Sequence, residues 1–563
     1  MTGVQPLAIV VLGVAALPTA RRLQQALPQA RVFGLEGRVN AADVTYAAFG
    51  DTLRTLYREG TGIIALCAAG IVIRALACVL EEKGSEPPVL AVAEDGSAVV
   101  PLLGGLGGVN TLARRIAQVL DVAPAITTSG ELRFGTCLLN PPDGYVLADL
   151  EQGKHFVSDV LAGQPVRVEG AAPWLADTTL APQADARLAI RVTPRQAQAT
   201  GELLIHPRCV AAAVETAEGD IAARVIEALS SAGLAPVALA CLMAPRSLMG
   251  QAALSAAAQA LNAGLRFAHQ GTAADCLLGQ LPGASHVVHE GITLVIDNAP
   301  LQVDTLGQRR GRLAVVGLGP GARAFMVPAV QAELAGAQDV LGYETYVNMA
   351  GPFRPEQVLH CTDNRKELQR ARHALALAAT GRSVVVVSSG DPGVFAMASA
   401  VLEALEAASE PALHAVELVI LPGVSASLAT AALAGAPLGH DFCVISLSDN
   451  LKPWSVIEAR LDLAGKADLA MAFYNPISRS RPWQLGQALE VVRRHRGPET
   501  PVVLGRDVAR PAQRLTVVTL GELTPEMVDM RTMVLVGSST TRVVPRAEGP
   551  PWVYTPRWYP QAP

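Results

Sequence analysis

Four short stretches in the carboxyl half carry residues able to recognise a small molecule: SSGDPG from Ser388, LPGVSAS from Leu421, FYNPISRSR from Phe473 and VGSSTTR from Val536. Each places glycine, proline, small hydroxyl residues or an asparagine where an apolar run stops. That mixture gives close backbone approach and a few hydroxyls and amides, so it suits a neutral or zwitterionic ligand held by backbone and shape. A nucleophile with its base, or a metal cage, would need other residue types at other spacings. A fifth stretch, GLGPG at 317–321, is spaced GxGxG instead of GxGxxG, and Pro320 has no amide hydrogen to offer a phosphate. A nucleotide-dependent oxidoreductase stays open on those glycines alone.

The elements that must position these loops follow from periodicity. Val384–Val387 is a β-branched run that reads as a fully buried strand, with SGDPG as the loop at its carboxyl end, where open α/β sheets hold ligands. LAVVGLG, DVLGY, ELVILPG, FCVISLS, ADLAMAFYN, PVVLGRD, LTVVTLG and TMVLVGS are further strand candidates, several followed by helical pattern. The fold class is therefore multidomain α/β. Residues 1–130 alternate apolar strands with amphipathic helices, 131–200 shift to shorter strands and turns, and 201–297 resume the βα rhythm. Residues 298–312 are polar enough for an exposed linker, 313–430 and 431–544 make two lobes, and 545–563 form an extended proline-rich tail.

Composition narrows the function. At 563 residues the chain has room for three or four domains of roughly 150 residues each. A net charge of −5 without basic runs disfavours nucleic acid as a partner. The eight cysteines are scattered without CxxC pairs, so no metal site and no disulfide framework is expected, and a cytoplasmic location fits. The apolar opening run lacks preceding basic residues, and 61–80 is broken by Gly62 and Gly70, so no membrane partner is expected.

Taken in order, GLGPG, GYETY, ELQR, VSSGDPGVFAMA, LPGVSAS, HDFCVISLSDNLKPW, FYNPISRSR and VDMRTMVLVGSSTTR make residues 313–543 resemble the tetrapyrrole methylases. The nearest group within them is the precorrin-3B, or cobalt-factor III, C(17)-methyltransferases. The resemblance implies a two-lobed class III methyltransferase fold, S-adenosyl-L-methionine as cofactor, a tetrapyrrole substrate, methylation at carbon 17 with ring contraction, and a homodimer. It implies a cofactor pocket from Gly319, Pro320, Gly321, Ser389, Gly390, Asp391, Phe395, Pro422, Val424, Ser425, Ala426, Tyr474 and Asn475, with Gly537, Ser538 and Thr541 near it. Asp391, Tyr343 and Tyr346 are the residues expected to assist the reaction. Arg365, Arg370, Arg479 and Arg481 are expected to meet the substrate's carboxylate arms. Ala322 stands where relatives often place an aspartate.

The amino half resembles the cobalt-precorrin-5A hydrolase-like proteins of cobalamin biosynthesis through IIALCAAGIVIRAL, PPVLAVAEDGSAVVPLLGGLGGVN with Gly107, Gly108 and Asn110, and PAITTSGE with Thr127, Thr128 and Glu131. GGLGGVN lacks the histidine of that family's loop, and the last third retains only HPRC, with His206, Arg208 and Cys209. A fusion of a methyltransferase with a module holding substrate, or serving neighbouring pathway enzymes, is one expectation; an anaerobic methyltransferase with an active hydrolase half is the other.

Overall fold

The computed structural model describes residues 6–27, 29–80, 86–176, 178–180, 182–197, 202–363, 366–478 and 481–559. It divides into two compact units, Met1–Gln308 and Arg309–Pro563.

The first unit contains three sheets. Leu7–Val11, Ala30–Leu35, Val44–Tyr46, Gly62–Leu66 and Val89–Val92 pair in parallel, and Val99–Leu103 closes the sheet antiparallel. Apolar side chains cover both of its faces, as a largely parallel sheet requires. A four-stranded sheet follows, built from Tyr145–Leu147, Glu202–Pro207, Leu188–Val192 and Val166–Glu169. Helices Ser129–Phe134 and Leu150–Leu161 accompany it, more helix than the turn-rich sequence suggested. Glu202–Pro207, expected with the domain after it, completes this middle sheet; the next sheet begins at Val210–Val214.

Residues 298–308 are not the exposed linker expected from their polarity. Leu306 is buried, Leu301 and Val303 pack beside it, and Phe267 exchanges two backbone hydrogen bonds with Gln308. A few well-spaced apolar residues are enough to dock a polar segment. The chain passes between units at Gln308 and Arg309, and Arg312 already opens the next strand.

The second unit has two lobes. The amino lobe is a five-stranded parallel sheet in the order Val358–Thr362, Asp339–Tyr343, Ser383–Ser388, Arg312–Gly317, Glu417–Leu421. Val384–Val387 lie in its centre, each almost wholly buried, with neighbours on both edges. Because all five strands run the same way, the loops that follow them leave from one edge. The carboxyl lobe is a mixed sheet in the order Phe442–Ser446, Ala470–Tyr474, Thr532–Val536, Pro501–Arg506, Arg514–Thr519. Helix Ala426–Ala434 starts at the amino lobe's edge and lies on the carboxyl lobe's sheet, with Ala431 and Ala434 against Ala472, Val503 and Leu535.

The tail differs from its expectation. Trp552–Tyr554 is the central strand of a small sheet between Gly435–Ala436 and Arg542–Val544. Its three residues fall between Pro551 and Pro556, so every amide the ladder needs is present.

Candidate active site

Three loops meet at the carboxyl edge of the amino lobe through their backbones. Gly319 and Gly390 form a two-way bridge, with Gly390 N donating to Gly319 O at 2.8 Å and Gly319 N to Gly390 O at 3.2 Å. Both glycines have left-handed φ, +75° and +71°. A Cβ on Gly317 would stand 2.8 Å from Gly423 N, and one on Gly423 would stand 2.7 Å from Gly317 O; both would overlap Gly390 O. No side chain fits at this three-loop junction.

Asp391 fastens it. One carboxylate oxygen accepts the Gly393 amide at 2.8 Å, and the other accepts the Gly423 amide at 3.0 Å, from the second loop. Ser425 then caps helix Ala426–Ala434, its hydroxyl accepting from Leu428 N at 3.4 Å. Pro422 is exposed, while Ser389, Val424 and Ala426 are half-buried along the same edge.

The carboxyl lobe supplies the opposing wall. Phe442–Ser446, Ala470–Tyr474 and Pro501–Arg506 run in one direction, the first two paired in parallel and the third antiparallel to the same strand as the second. Their following loops therefore share an edge, and each meets the amino lobe or the bridging helix. Tyr474 Oη accepts the Ser427 amide at 3.1 Å. The Tyr474 ring stands 5.4 Å, edge-on, from Phe395, and Lys452 Nζ lies 5.8 Å above the Phe395 ring. Arg510 donates from Nε to Pro320 O at 3.1 Å and packs on Gly321. Phe395 and Asn475 both hold left-handed backbone, φ +54° and +51°, an unusual conformation for an aromatic side chain. Asn475 Nδ2 donates to Ser446 Oγ at 3.0 Å.

Several expected residues sit elsewhere. The strand before Gly537, Ser538 and Thr541 is antiparallel to Ala470–Tyr474, so these residues leave the sheet at the edge opposite Tyr474 and Asn475. Helix Ala426–Ala434 spans the two edges, nine residues or roughly 14 Å. At the far end Thr541 Oγ1 accepts the Ser538 amide at 2.8 Å and lies 2.9 Å from Thr555 Oγ1, which donates to Pro437 O. Their chemistry is to hold the tail strand, and the cofactor assignment for Gly537, Ser538 and Thr541 is corrected accordingly. VGSSTTR resembles the other loops in composition, but strand direction reverses its position.

Arg370 also departs from its expected place at an open mouth. It is 3% exposed and donates to Thr362 Oγ1 at 2.7 Å and to Asp363 O at 2.9 Å. Burial pulls its pKa down, as for any desolvated cation. Tyr343 and Tyr346 pack edge-on at 5.4 Å. Burial pushes the Tyr346 phenol up, with Arg510 opposing. Arg481 is half-buried, its Nη1 without a hydrogen-bond partner among the described residues. Arg365 and Arg479 lie outside the described residues. Gly423, Ser427, Lys452 and Arg510 escaped the motif reading, and Gly317 was read only as part of a GxGxG turn. All but Arg510 lie in the strings that carried the resemblance; Arg510 is marked by nothing in its neighbourhood.

Residues 312–524 match the family described as Tetrapyrrole (Corrin/Porphyrin) Methylases. A Sinorhizobium protein named precorrin-3B C(17)-methyltransferase is 52% identical over 250 residues, covering 44% of this chain and 97% of its own length. The chain belongs to the tetrapyrrole methylase family. The cobalamin biosynthesis protein CobIJ of Mycobacterium tuberculosis is 49% identical over 264 residues, 46% of this chain and 51% of CobIJ, so the chain spans about half of that relative. The crystal structure of the methyltransferase CobJ shares 55% identity, with 44% of this chain and 100% of that chain covered, at a TM-score of 0.41. Residues 51–131 match a second family, Cobalamin synthesis G N-terminal. The chain is thus a fusion of a tetrapyrrole methylase with a cobalamin-synthesis module.

In that module Asn110, Thr128 and Glu131 come together. Asn110 Nδ2 donates to Thr128 Oγ1 at 3.0 Å and to Glu131 Oε1 at 2.6 Å, and Arg114 pairs with the other Glu131 oxygen. Glu131 is 4% exposed and both of its oxygens are paired, while Thr128 and Arg114 reach the surface. His206 and Arg208 are spent on backbone carbonyls, at 2.7 Å from Thr193 O and Leu239 O, and burial pushes the Cys209 thiol up to about 11.

The methylase loops suit a cofactor of the class this family uses. Gly390 leaves a cradle in which a Cβ would sit 3.7 Å from Ser425 Cα and 3.8 Å from Ala426 N. Around it stand backbone groups, hydroxyls and two aromatic rings. No cluster able to hold a metal ion occurs among the described residues. No helix among them is long and apolar enough to cross a membrane.

Proposed function

We propose that the protein is an S-adenosyl-L-methionine-dependent methyltransferase that methylates carbon 17 of precorrin-3B, with ring contraction to precorrin-4, in cobalamin biosynthesis. The observation that carries this reading is the three-loop glycine junction locked by Asp391, in a segment 52% identical to a precorrin-3B C(17)-methyltransferase over 97% of that relative's length. The cofactor would supply an electrophilic methyl group on a sulfonium. Gly319, Pro320, Gly321, Ser389, Gly390, Phe395, Pro422, Val424, Ser425, Ala426, Tyr474 and Asn475 would hold it by backbone and shape.

Asp391 acts through the backbone in this reading. Each of its oxygens accepts an amide proton, so it positions the cradle. Tyr343 and Tyr346 are proposed to assist by orienting the substrate. Burial disfavours loss of the Tyr346 proton, so that residue serves as a hydrogen-bond donor. Transfer from a sulfonium removes a positive charge, so alignment in a water-poor cleft contributes more than proton abstraction.

Incubating the protein with S-adenosyl-L-methionine and precorrin-3B, then measuring product mass, tests the reading. A gain of one methyl group is expected; no gain, with no heat of S-adenosylhomocysteine binding, would remove it. Parallel assay of cobalt-factor III separates the two branches, and preference for the metal-free substrate is expected. The amino-terminal unit is proposed to hold substrate or receive a neighbouring enzyme, on the strength of its Asn110–Glu131–Arg114 cluster, in which the buried carboxylate is already paired. Opening of a lactone substrate by the full chain would overturn that. A homodimer in the cytoplasm completes the proposal, checked by light scattering and fractionation.

A further inference from the structure

Among the described residues, two cations that the carboxyl lobe presents to the amino lobe have no acidic partner. Lys452 lies on the loop after Phe442–Ser446, half-buried, and no carboxylate comes within ion-pair distance of it among the described residues. The acid on its own loop, Asp449, faces Gln484 Nε2 at 3.2 Å. Burial, and then Arg460, pull the Lys452 ammonium down from its ordinary value. A cation partly out of water is costly unless an anion arrives.

Arg510, on the loop after Pro501–Arg506, repeats the arrangement. Its guanidinium meets Pro320 O and, at 3.7 Å, Met349 Sδ, both neutral. The acid three residues before it, Asp507, is engaged by Arg531 at 3.4 Å and Arg506 at 3.8 Å. Both loops leave the sheet edge that carries Tyr474, and both touch amino-lobe loops, Lys452 through the Phe395 ring and Arg510 through GLGPG. Phe395 itself is 51% exposed and held in left-handed backbone, an apolar surface at the base of Lys452.

We propose that Lys452 and Arg510 receive carboxylate arms of the tetrapyrrole, with the exposed Phe395 ring as the apolar floor beside the first, so that these two cations set the placement of the macrocycle. The inference rests on the function proposed above. It assigns recognition to residues outside the arginines marked by the sequence, and it gives the substrate's charge a partner on each of two loops. Charge-assisted hydrogen bonds of this kind exceed neutral ones, and in a half-buried cleft they are only partly screened.

The test measures KM for precorrin-3B at saturating S-adenosyl-L-methionine in the full chain carrying Lys452→Met, Arg510→Gln or Lys452→Arg. Calorimetric titration with S-adenosylhomocysteine on each variant serves as a readout of the cofactor cradle. Removing either charge is expected to raise KM about ten-fold, roughly one charge-assisted hydrogen bond. Cofactor affinity should stay at the parent value, and Lys452→Arg should restore most of the loss. Parent-like KM in Lys452→Met and Arg510→Gln overturns the inference while leaving the methyltransferase reading intact. Equal loss of S-adenosylhomocysteine binding in both also overturns it, because the residues would then be supporting the cradle. A parent chain that binds S-adenosylhomocysteine but methylates no precorrin removes the functional reading itself, and the inference with it.

Discussion

Both oxygens of Asp391 are occupied, so its replacement is felt first by the backbone. Asp391→Asn substitutes an amide donor at one of two acceptors and leaves the Gly393 or Gly423 amide without its partner. Affinity for S-adenosylhomocysteine is expected to fall about ten-fold while the melting temperature changes little, the usual scale for one lost hydrogen bond to a charged group. Calorimetry against thermal melting checks it. Gly423→Ala is harsher, since its Cβ would meet two backbones and not a flexible side chain. A loss of about 2 kcal/mol or more is expected from denaturant titration, in the range for overpacking. Asp339 is the residue to watch with pH. Burial raises its pKa, but hydrogen bonds from Arg382 and from His360 at 2.9 Å outweigh that and hold the carboxyl below its ordinary value. Its stabilising contribution is therefore complete above the unfolded pKa of about 3.9 and is lost as pH falls through the lower folded value. Denaturation midpoints should therefore fall more steeply for the parent than for Asp339→Asn once the pH drops below about 3.9.

At the level of elements, strand direction decided what composition could not. The run Val384–Val387 and its loop were legible because buried β-branched residues followed by SGDPG admit few other arrangements. VGSSTTR looked alike and was misplaced, because periodicity reports that a strand exists and says nothing about which way it runs. The tail strand Trp552–Tyr554 was missed for a related reason. One partner, Gly435–Ala436, lies far away in sequence, and both it and Arg542–Val544 are too short to carry a pattern. These assignments make opposite predictions for Thr541→Val. Loss of the hydroxyl that meets the Ser538 amide and Thr555 should lower stability by roughly 1–2 kcal/mol. S-adenosylhomocysteine affinity should remain that of the parent, measured on the same preparation. A cofactor defect without a stability change would return Thr541 to the cleft.

For the whole chain, two units with separate buried clusters imply more than one cooperative transition. Scanning calorimetry should resolve them, and S-adenosylhomocysteine should raise only the transition belonging to Arg309–Pro563, by mass action on its folded form. A shift of both would mean that ligand binding is felt across the chain. The polar segment before the division at Gln308 and Arg309 was read as an exposed linker, but it is docked. Leu301, Val303 and Leu306 are spaced through polar neighbours, and composition averaged over the segment hides them. Lys452 and Arg510 were hidden differently. An unpaired charge is a property of its surroundings, and those surroundings come from residues far along the chain.

The reversed strand Thr532–Val536 also has a practical use. It turns the last described segment toward the edge of the carboxyl lobe opposite the cleft, where Tyr559 bonds Asp468 and Arg542 lies 5.5 Å from the Trp558 ring. A fluorophore attached near Arg557 would sit at the edge away from Tyr474 and Asn475, just beyond a strand that melts with the lobe. Such a reporter would let an instrument follow unfolding during turnover, with the chemistry undisturbed at the other edge.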